Sequence, residues 1–126
     1  LERAGVGVAL ENTGEPLPIS ADEGQLRQVM LNLIRNAREA MAAGGTLRVR
    51  TRATPGGAEV ELHDTGVGMT PEVKEKLFEP FFTTKQGGTG LGLSLSRQII
   101  EAHGGRIEVD SEAGRGTTFR LSFPRA

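Results

Sequence analysis

The chain lacks cysteine, tryptophan and tyrosine altogether, and only five of its 126 residues are phenylalanine. Without cysteine, disulfides, thiolate nucleophiles and thiolate zinc sites are excluded, which is consistent with a reducing compartment. No apolar run approaches the roughly 18 to 20 residues that cross a bilayer, and the N-terminus has no charged region followed by an apolar stretch. We therefore expect a soluble segment without a signal peptide and without direct membrane contact.

An excess of charge of one sign is also missing. Fifteen basic residues stand against sixteen acidic ones, and no lysine or arginine cluster alternates with aromatics, which argues against nucleic acid as a partner. Glycine, in contrast, occurs 18 times, about twice its usual share of roughly 7%. The length is typical of one domain, so we expect residues 1–126 to form a single unit.

Apolar residues at spacings of three and four predict an amphipathic helix over residues 22–41, with Leu31 the one large apolar residue outside its apolar arc. Ser20 or Asp22 can cap its start, and the glycine pair at 44–45 ends it. A second helix is predicted over residues 91–103. Its apolar side would carry Leu91, Leu95, Ile99 and Ala102.

Alternation of apolar and polar residues predicts the strands of one sheet. The predicted strands are residues 46–52, 58–64, 106–110 and 118–123, with weaker candidates at 6–10 and 17–19. A proline-glycine-glycine link joins the first two as a hairpin whose outer face sets arginines opposite glutamates. These elements predict an α/β (α+β) fold, a two-layer sandwich whose sheet is largely antiparallel and open to water on one side.

Asp64 ends a predicted strand and shares the parity of that strand's apolar residues, so its carboxylate is expected on the buried side. One interpretation is an Asx-type turn that closes the strand. The other is a ligand anchor, because Gly66 and Gly68 would let a flat ligand lie against the backbone beside an inward acceptor. An adenine amino group is a donor of the kind that such an acceptor would bind.

The segment 83–90 contains three glycines and nothing apolar, which predicts a mobile lid. Residues 88–93 open the second helix, where successive backbone N–H groups and the helix dipole can hold a phosphate. A plain loop is the alternative, since the segment lacks both the Gly-Lys-Ser/Thr ending of a P-loop and the preceding strand of a dinucleotide-binding fold. Lys85 is either a point charge that reaches a phosphate or an ordinary surface lysine.

Asn32 and Asn36 lie four residues apart at the edge of the apolar arc of the first helix, so both amides can point the same way. Mg²⁺ prefers oxygen ligands and keeps several waters, so one amide oxygen together with phosphate oxygens is a sufficient site. The alternative is the polar border of an ordinary helix.

The segments 32–41, 64–68, 78–93 and 114–119 closely resemble, in this order, the N, G1, F, G2 and G3 boxes of the ATP-binding catalytic domain of sensor histidine kinases, in the GHKL superfamily. The resemblance covers nearly the whole chain. Each segment is unspecific alone, and the order and intervals of all of them carry the resemblance. The sequence Phe-Glu-Pro-Phe-Phe-Thr-Thr-Lys and the short lid resemble the nitrogen-regulation type in particular.

The resemblance implies ATP and Mg²⁺ as cofactors and gives roles to individual residues. Asn36 would hold Mg²⁺ with Asn32 nearby, and these two with Lys85 would be the catalytic set. Asp64 would accept from the adenine amino group, supported by Thr117 through a water. The implied nucleotide-binding residues are Asn36, Asp64, Gly66, Gly68, Thr84, Lys85, Gly88, Thr89, Gly90, Leu91, Gly92, Leu93 and Thr117. The implied sheet of about five strands backed by three helices agrees with the two predicted layers.

The ATPases of gyrase B, mismatch repair and heat-shock chaperones use the same fold, so the fold alone does not decide the reaction. They resemble one another in a glutamate four residues before the metal asparagine, where this chain has Asn32. Because a neutral amide is a poor base, we expect a protein-histidine kinase that transfers the γ-phosphate of Mg-ATP. The alternatives are an ATP-hydrolysing switch of the same fold and a non-catalytic nucleotide-binding regulatory module.

Neither His63 nor His103 has the surroundings of a phosphoacceptor histidine. We therefore expect the acceptor on a dimerisation domain whose helices precede this segment in the intact kinase. The resemblance implies a response regulator as the downstream partner. It also implies a cytoplasmic location, in a parent kinase that is either soluble or membrane-anchored.

Overall fold

A computed structural model describes residues 6–12, 22–79 and 92–124, which form helices packed on a sheet. The elements in chain order are β1 (Val6–Asn12), α1 (Glu23–Ala40), β2 (Gly45–Thr54), β3 (Gly57–Asp64), α2 (Pro71–Lys76), α3 (Gly92–Ala102), β4 (Arg106–Glu112) and β5 (Gly116–Pro124). None of the helices in these ranges combines the length and the apolar character needed to span a bilayer.

The five strands form one sheet in the order β1-β2-β3-β5-β4. β1 runs parallel to β2, because α1 connects them as a crossover, and the remaining neighbours are antiparallel. This confirms the predicted α+β class with a mixed, mostly antiparallel sheet and three helices. The weak strand candidate at 17–19 lies outside the described residues.

α1 forms as its periodicity predicts. The side chain of Asp22 accepts a hydrogen bond from the backbone N–H of Gln25 at 2.9 Å and so caps the helix. The buried stripe of α1 packs on the inner face of the sheet and consists of Val29, Leu33, Ala37 and Met41. Leu31, which the predicted arc leaves out, is 53% exposed.

The buried side of α3 differs from the prediction. Leu95 is 37% exposed and Ala102 is exposed, while Ile99 and Ile100 are buried. Polar residues occupy two further buried positions, Ser94 and Ser96. Those serines interrupt the apolar pattern from which the buried side was predicted, so the prediction is wrong for Leu95 and Ala102 and is confirmed for Ile99, while Leu91 lies outside the described residues.

The helix α2 was not predicted from the periodicity because its six residues are too few to show a period. The start of α2 nevertheless has a recognisable signal in the sequence. The Thr70 side chain accepts from the N–H of Val73 at 3.3 Å, and Pro71 occupies the first turn.

The outer face of the sheet carries the predicted opposition of charges in the β2–β3 hairpin, where Nη2 of Arg52 lies 3.2 Å from Oε1 of Glu59. Arg120 on β5, which the prediction did not include, adds a contact of 3.2 Å to Glu61. The inner face carries the apolar core, and at one end of this face the apolar residues give way to buried polar side chains.

Candidate nucleotide site

The carboxylate of Asp64 lies at the end of β3 on the buried face of the sheet, and the residue is 4% exposed. The backbone N–H of Gly66 donates to its Oδ1 at 2.9 Å. Burial raises the pKa of Asp64 above its ordinary value of 3.8, although the backbone groups of Gly66 and Thr117 and the neighbouring His63 act in the opposite direction. The site therefore contains a buried acceptor that can take a further donor from a ligand.

The bond from Gly66 to Asp64 is the predicted Asx-type turn. The turn and the inward carboxylate coexist, so the two interpretations of this segment do not exclude one another. At Gly66 a Cβ atom would lie 2.5 Å from the carbonyl oxygen of Ala40 at the end of α1. The neighbouring N–H of Val67 donates to that same oxygen at 3.1 Å. The turn is thereby packed directly against the C-terminal end of α1.

Gly68 adopts a φ of +70°, in the left-handed region, and a Cβ atom there would overlap the carbonyl oxygen of Glu112. The backbone of the turn thus lies between α1 and the end of β4. This close packing requires glycine at the two positions whether or not a ligand also contacts them.

Asn32 connects α1 to the first turn of α3. Its Nδ2 donates to the carbonyl oxygen of Gly92 and to Oγ of Ser96, both at 3.3 Å. Ser96 Oγ in turn donates to the same carbonyl at 2.8 Å. Because a carbonyl oxygen only accepts, the nitrogen of the Asn32 amide must face α3.

Asn36 lies one turn further along α1, on the same side as Asn32, and is half-buried. Ala40 follows one turn later and contacts the Asp64 turn through its carbonyl. α1 therefore contacts the start of α3 at Asn32 and the Asp64 turn at Ala40, and these two residues are about 12 Å apart along the helix.

Thr117 is opposite Asp64 in the β3–β5 register and is 3% exposed. Its backbone pairs with that of Asp64 in the sheet, while its hydroxyl lies 2.8 Å from Oγ of Ser111 on β4. The contact between Thr117 and Asp64 in this structure is thus made by the backbone, and the water-mediated support that the resemblance implies stays a prediction.

Part of the predicted set lies outside the described residues, namely Thr84, Lys85, Gly88, Thr89, Gly90 and Leu91. Gly92 begins α3, and Leu93 packs against the apolar core. Just before the undescribed segment, the ring of Phe78 lies 5.6 Å from the guanidinium carbon of Arg97 on α3.

Sequence reasoning missed Ser96 and Ser111, which contact the predicted residues Asn32 and Thr117. A signal for Ser111 was present, because it shares the inward parity of Ile107 and Val109 on β4. A serine at an inward strand position needs a hydrogen-bond partner, and this requirement indicates a polar group on the neighbouring strand.

A comparison with family models bears directly on this arrangement. The model of histidine kinase-, DNA gyrase B-, and HSP90-like ATPases matches residues 21–126. The chain belongs to this family. The predicted resemblance is thereby confirmed.

Individual members of the family show which branch the chain is similar to. The sensor kinase CckA of Brucella abortus (strain 2308) is 47% identical over 125 residues, which cover 86% of this chain and 13% of CckA. The nucleotide-free catalytic domain of histidine kinase ThkA superposes with a TM-score of 0.87 at 35% identity, over 98% of this chain and 83% of that one. Full-length ShkA in complex with AMPPNP gives a TM-score of 0.88 at 33% identity, over 99% of this chain and 27% of that one.

The chain thus corresponds to the ATP-binding catalytic domain of histidine kinases and spans about an eighth of the length of CckA. The comparisons concern the fold and the family. The roles of individual residues stay predictions.

Proposed function

We propose that this chain works in a two-component sensor kinase by binding Mg-ATP and transferring its γ-phosphate to a histidine on a separate dimerisation domain. It would act in the cytoplasm, as a single catalytic domain, and a response regulator would take the phosphoryl group from the histidine. Phosphoryl transfer asks the protein mainly to position the phosphate and to stabilise its charge.

The observation that carries the proposal is the buried carboxylate of Asp64. Its Oδ1 accepts from the backbone N–H of Gly66, and no arginine or lysine among the described residues forms a salt bridge with it. Burying a charge without an ionic partner is costly, so such a residue suggests a ligand that supplies a donor. The amino group of adenine is a donor that would suit this acceptor.

The chemistry of the donor set also fits Mg²⁺. Asn36 offers an uncharged oxygen ligand, which suits a cation whose remaining ligands are waters and phosphate oxygens. When bound, Mg²⁺ would neutralise charge on the phosphates. Asn36 would hold the cation on α1, one turn before the contact between α1 and the Asp64 turn.

The surroundings of Asn32 favour transfer over hydrolysis. The residue faces the Gly92 carbonyl, and the Ser96 hydroxyl nearby already donates to that carbonyl. A carboxylate at this position would face the carbonyl oxygen without a proton to share, so the position suits an amide donor better than a base that activates water.

The test mixes the chain with Mg²⁺, ATP labelled in the γ-phosphate and a purified dimerisation domain that carries an acceptor histidine. The proposal expects acid-labile label on that histidine, lost when the acceptor histidine is replaced by alanine. Asp64→Asn should slow labelling, and Asp110→Asn, an exposed site on the outer face of β4, should not.

Two other outcomes would contradict the proposal in different ways. Steady release of inorganic phosphate without label on histidine indicates the ATP-hydrolysing switch. Tight ATP binding with neither product, across acceptor domains from several sensor kinases, indicates a regulatory module.

A further inference from the structure

We propose that Ser96 is a positioning residue for the phosphate end of the nucleotide site. Its buried hydroxyl joins the Asn32 amide on α1 to the Gly92 carbonyl at the start of α3, and so fixes the start of α3 relative to α1. In the proposed function, on which this inference rests, Asn36 holds Mg²⁺ and the first turn of α3 binds phosphate.

Hydrogen bonds of side chains join α1 and α3 at two places. At one place, Asn32 Nδ2 donates to the Gly92 carbonyl oxygen and to Ser96 Oγ, both at 3.3 Å. At the other, the backbone N–H of Asp22, the N-cap of α1, donates to Nε2 of His103 at 3.0 Å. Later residues of α1 thus meet earlier residues of α3, so the helices run antiparallel. The first contact is near the proposed phosphate site, and the second is about 15 Å away along α1.

The surroundings of Ser96 allow one direction for each of its hydrogen bonds. Ser96 is fully buried, and its Oγ lies 2.8 Å from the Gly92 carbonyl oxygen. A hydroxyl has one proton and a carbonyl oxygen only accepts, so Ser96 donates to Gly92 and accepts from Asn32. The nitrogen of Asn32 therefore has two acceptors on α3. Removal of the Ser96 hydroxyl takes away one of them and also one donor to Gly92.

The Asn32 amide also packs against Gly92 directly. A Cβ atom built at Gly92 would lie 3.8 Å from Cγ, 3.9 Å from Oδ1 and 4.0 Å from Nδ2 of Asn32. Three nearly equal distances to the atoms of one plane mean that the flat face of the amide lies over the first residue of α3. The orientation of this amide thus determines how α1 and the start of α3 fit together.

The bonded carbonyl of Gly92 controls a neighbouring donor. The Gly92 carbonyl and the Leu93 N–H belong to one planar trans peptide unit, so the two groups point in opposite directions. With the carbonyl held by Asn32 and Ser96, the N–H of Leu93 is directed toward the beginning of α3. N–H groups in the first turn of a helix have no acceptor within the helix and favour anions. Ser96 thereby orients a donor that the proposed function assigns to phosphate.

The metal ligand of the proposed function is close to the same contact. Asn36 follows Asn32 by one turn of α1, about 6 Å along the helix axis. The bonds from Asn32 to α3 therefore set the separation between Asn36 and the N–H groups that begin α3. Asp64, at the base end of the proposed site, is held instead by the backbone N–H of Gly66. Loss of the Ser96 hydroxyl should weaken binding of the phosphates and leave binding of the base unchanged.

A merely structural role of Ser96 has a different consequence. Serine in a helix can bond to the carbonyl four residues earlier, as Ser96 does to Gly92. Such a bond within one helix affects stability and would weaken the binding of every nucleotide to the same degree. The bond from Asn32 connects two helices, so a loss that is selective for phosphates distinguishes the positioning role.

The experiment measures by calorimetry the affinities of the 126-residue chain for adenosine and for a nonhydrolysable ATP analogue with Mg²⁺. Ser96→Ala should bind the analogue about two- to tenfold more weakly, the effect of one hydrogen bond, and should bind adenosine as the wild type does. Ser96→Thr, which keeps the hydroxyl, should restore the affinity for the analogue. Equal losses for both ligands, or no loss for the analogue, would overturn the proposal.

His103→Ala is the matched control, because it removes the hydrogen bond between Asp22 and the end of α3. This variant should have a lower free energy of unfolding and an unchanged ratio of the two affinities. A selective loss for the analogue in His103→Ala as well would overturn the local role of Ser96. If Ser96→Ala does not fold, Ser96→Cys keeps the size of the side chain, has a weaker donor and should change the ratio in the same direction.

The connection through Asn32 is tested by a double-mutant cycle on the affinity for the analogue. Because Asn32 and Ser96 share a hydrogen bond, the loss in the double variant Asn32→Ala with Ser96→Ala should be smaller than the product of the two single losses. Losses that multiply independently would overturn the route through Asn32.

A measurement without nucleotide separates this proposal from the proposed function. The side-chain amide signals of Asn32 in the NMR spectrum, assigned by their loss in Asn32→Asp, should shift in Ser96→Ala. They should stay unchanged in Ser122→Ala, which removes a hydroxyl from the outer face of β5. Signals that do not shift in Ser96→Ala would overturn the proposal. Shifted signals in a chain whose wild type binds no ATP would refute the proposed function and leave the orientation of Asn32 by Ser96 intact.

Discussion

Asp64→Asn keeps the size of the side chain and removes its charge. The wild-type carboxylate is 4% exposed and accepts from the N–H of Gly66 at 2.9 Å. If it also accepts from the amino group of adenine, the variant replaces a charge-assisted bond with a neutral one. Charge-assisted hydrogen bonds contribute about 1.5 to 3 kcal/mol, which corresponds to a roughly ten- to hundredfold loss of ATP affinity.

Titration calorimetry with a nonhydrolysable ATP analogue at neutral pH measures this loss. Asp110→Asn is the matched control, because the same change is made on the exposed outer face of β4. Equal affinity of the wild type and Asp64→Asn would remove Asp64 from the nucleotide site.

The same variant tests the electrostatics of the site. Burial raises the pKa of Asp64 in the folded chain above its ordinary value of 3.8, so folding favours the protonated form. Its contribution to the free energy of unfolding is then present below about pH 3.8 and is lost as pH rises through the folded pKa. The difference in unfolding free energy between the wild type and Asp64→Asn, measured by denaturant melts, should therefore fall as pH rises through this window. A difference that increases with pH would mean that the N–H donors outweigh burial, and would refute this account.

Two further predictions concern the metal and the glycines. Asn36→Ala should weaken ATP binding more in the presence of Mg²⁺ than in its absence. The control Gln28→Ala, at an exposed amide of the same helix, should leave the ATP affinity unchanged under both conditions. An equal effect of Asn36→Ala with and without Mg²⁺ would exclude Asn36 as a ligand. Gly68→Ala should lower the free energy of unfolding by at least about 1 to 2 kcal/mol in denaturant melts, because alanine is strained at a φ of +70° and its Cβ would overlap the Glu112 carbonyl. Gly56→Ala, where a Cβ would meet nothing within 4 Å, is the control, and equal stability of the two variants would show that the turn can relax.

Much of the fold was predictable because its signals are local. The stripe of α1 and the alternation of β2 and β3 give the elements and their buried sides, and Leu31 was placed outside the stripe correctly. α3 was misread at Leu95 because the helix buries Ser94 and Ser96, and the Ser96 hydroxyl bonds to the Gly92 carbonyl and to Asn32. Such partners lie 64 residues apart in the chain and have no local signature.

The candidate site divides in the same way. Parity alone directed Asp64 inward, and the spacing of Asn32 and Asn36 alone put both on one side of a helix, since both inferences need only the repeat of a regular backbone. The donors that surround Asp64 depend on which strands pair and in which register. Register follows from packing across the whole sheet.

By itself, the sequence therefore determined the types of the elements other than α2, the inward carboxylate, the paired asparagines and, through its motifs, the family. Only the tertiary structure decided that Ser111 bonds to the Gly116 carbonyl and to Thr117, which is paired with Asp64, and that Gly66 and Gly68 are packed against Ala40 and Glu112. Backbone periodicity is a property of neighbouring residues, whereas these contacts join segments that meet only when the sheet assembles and α1 packs on it.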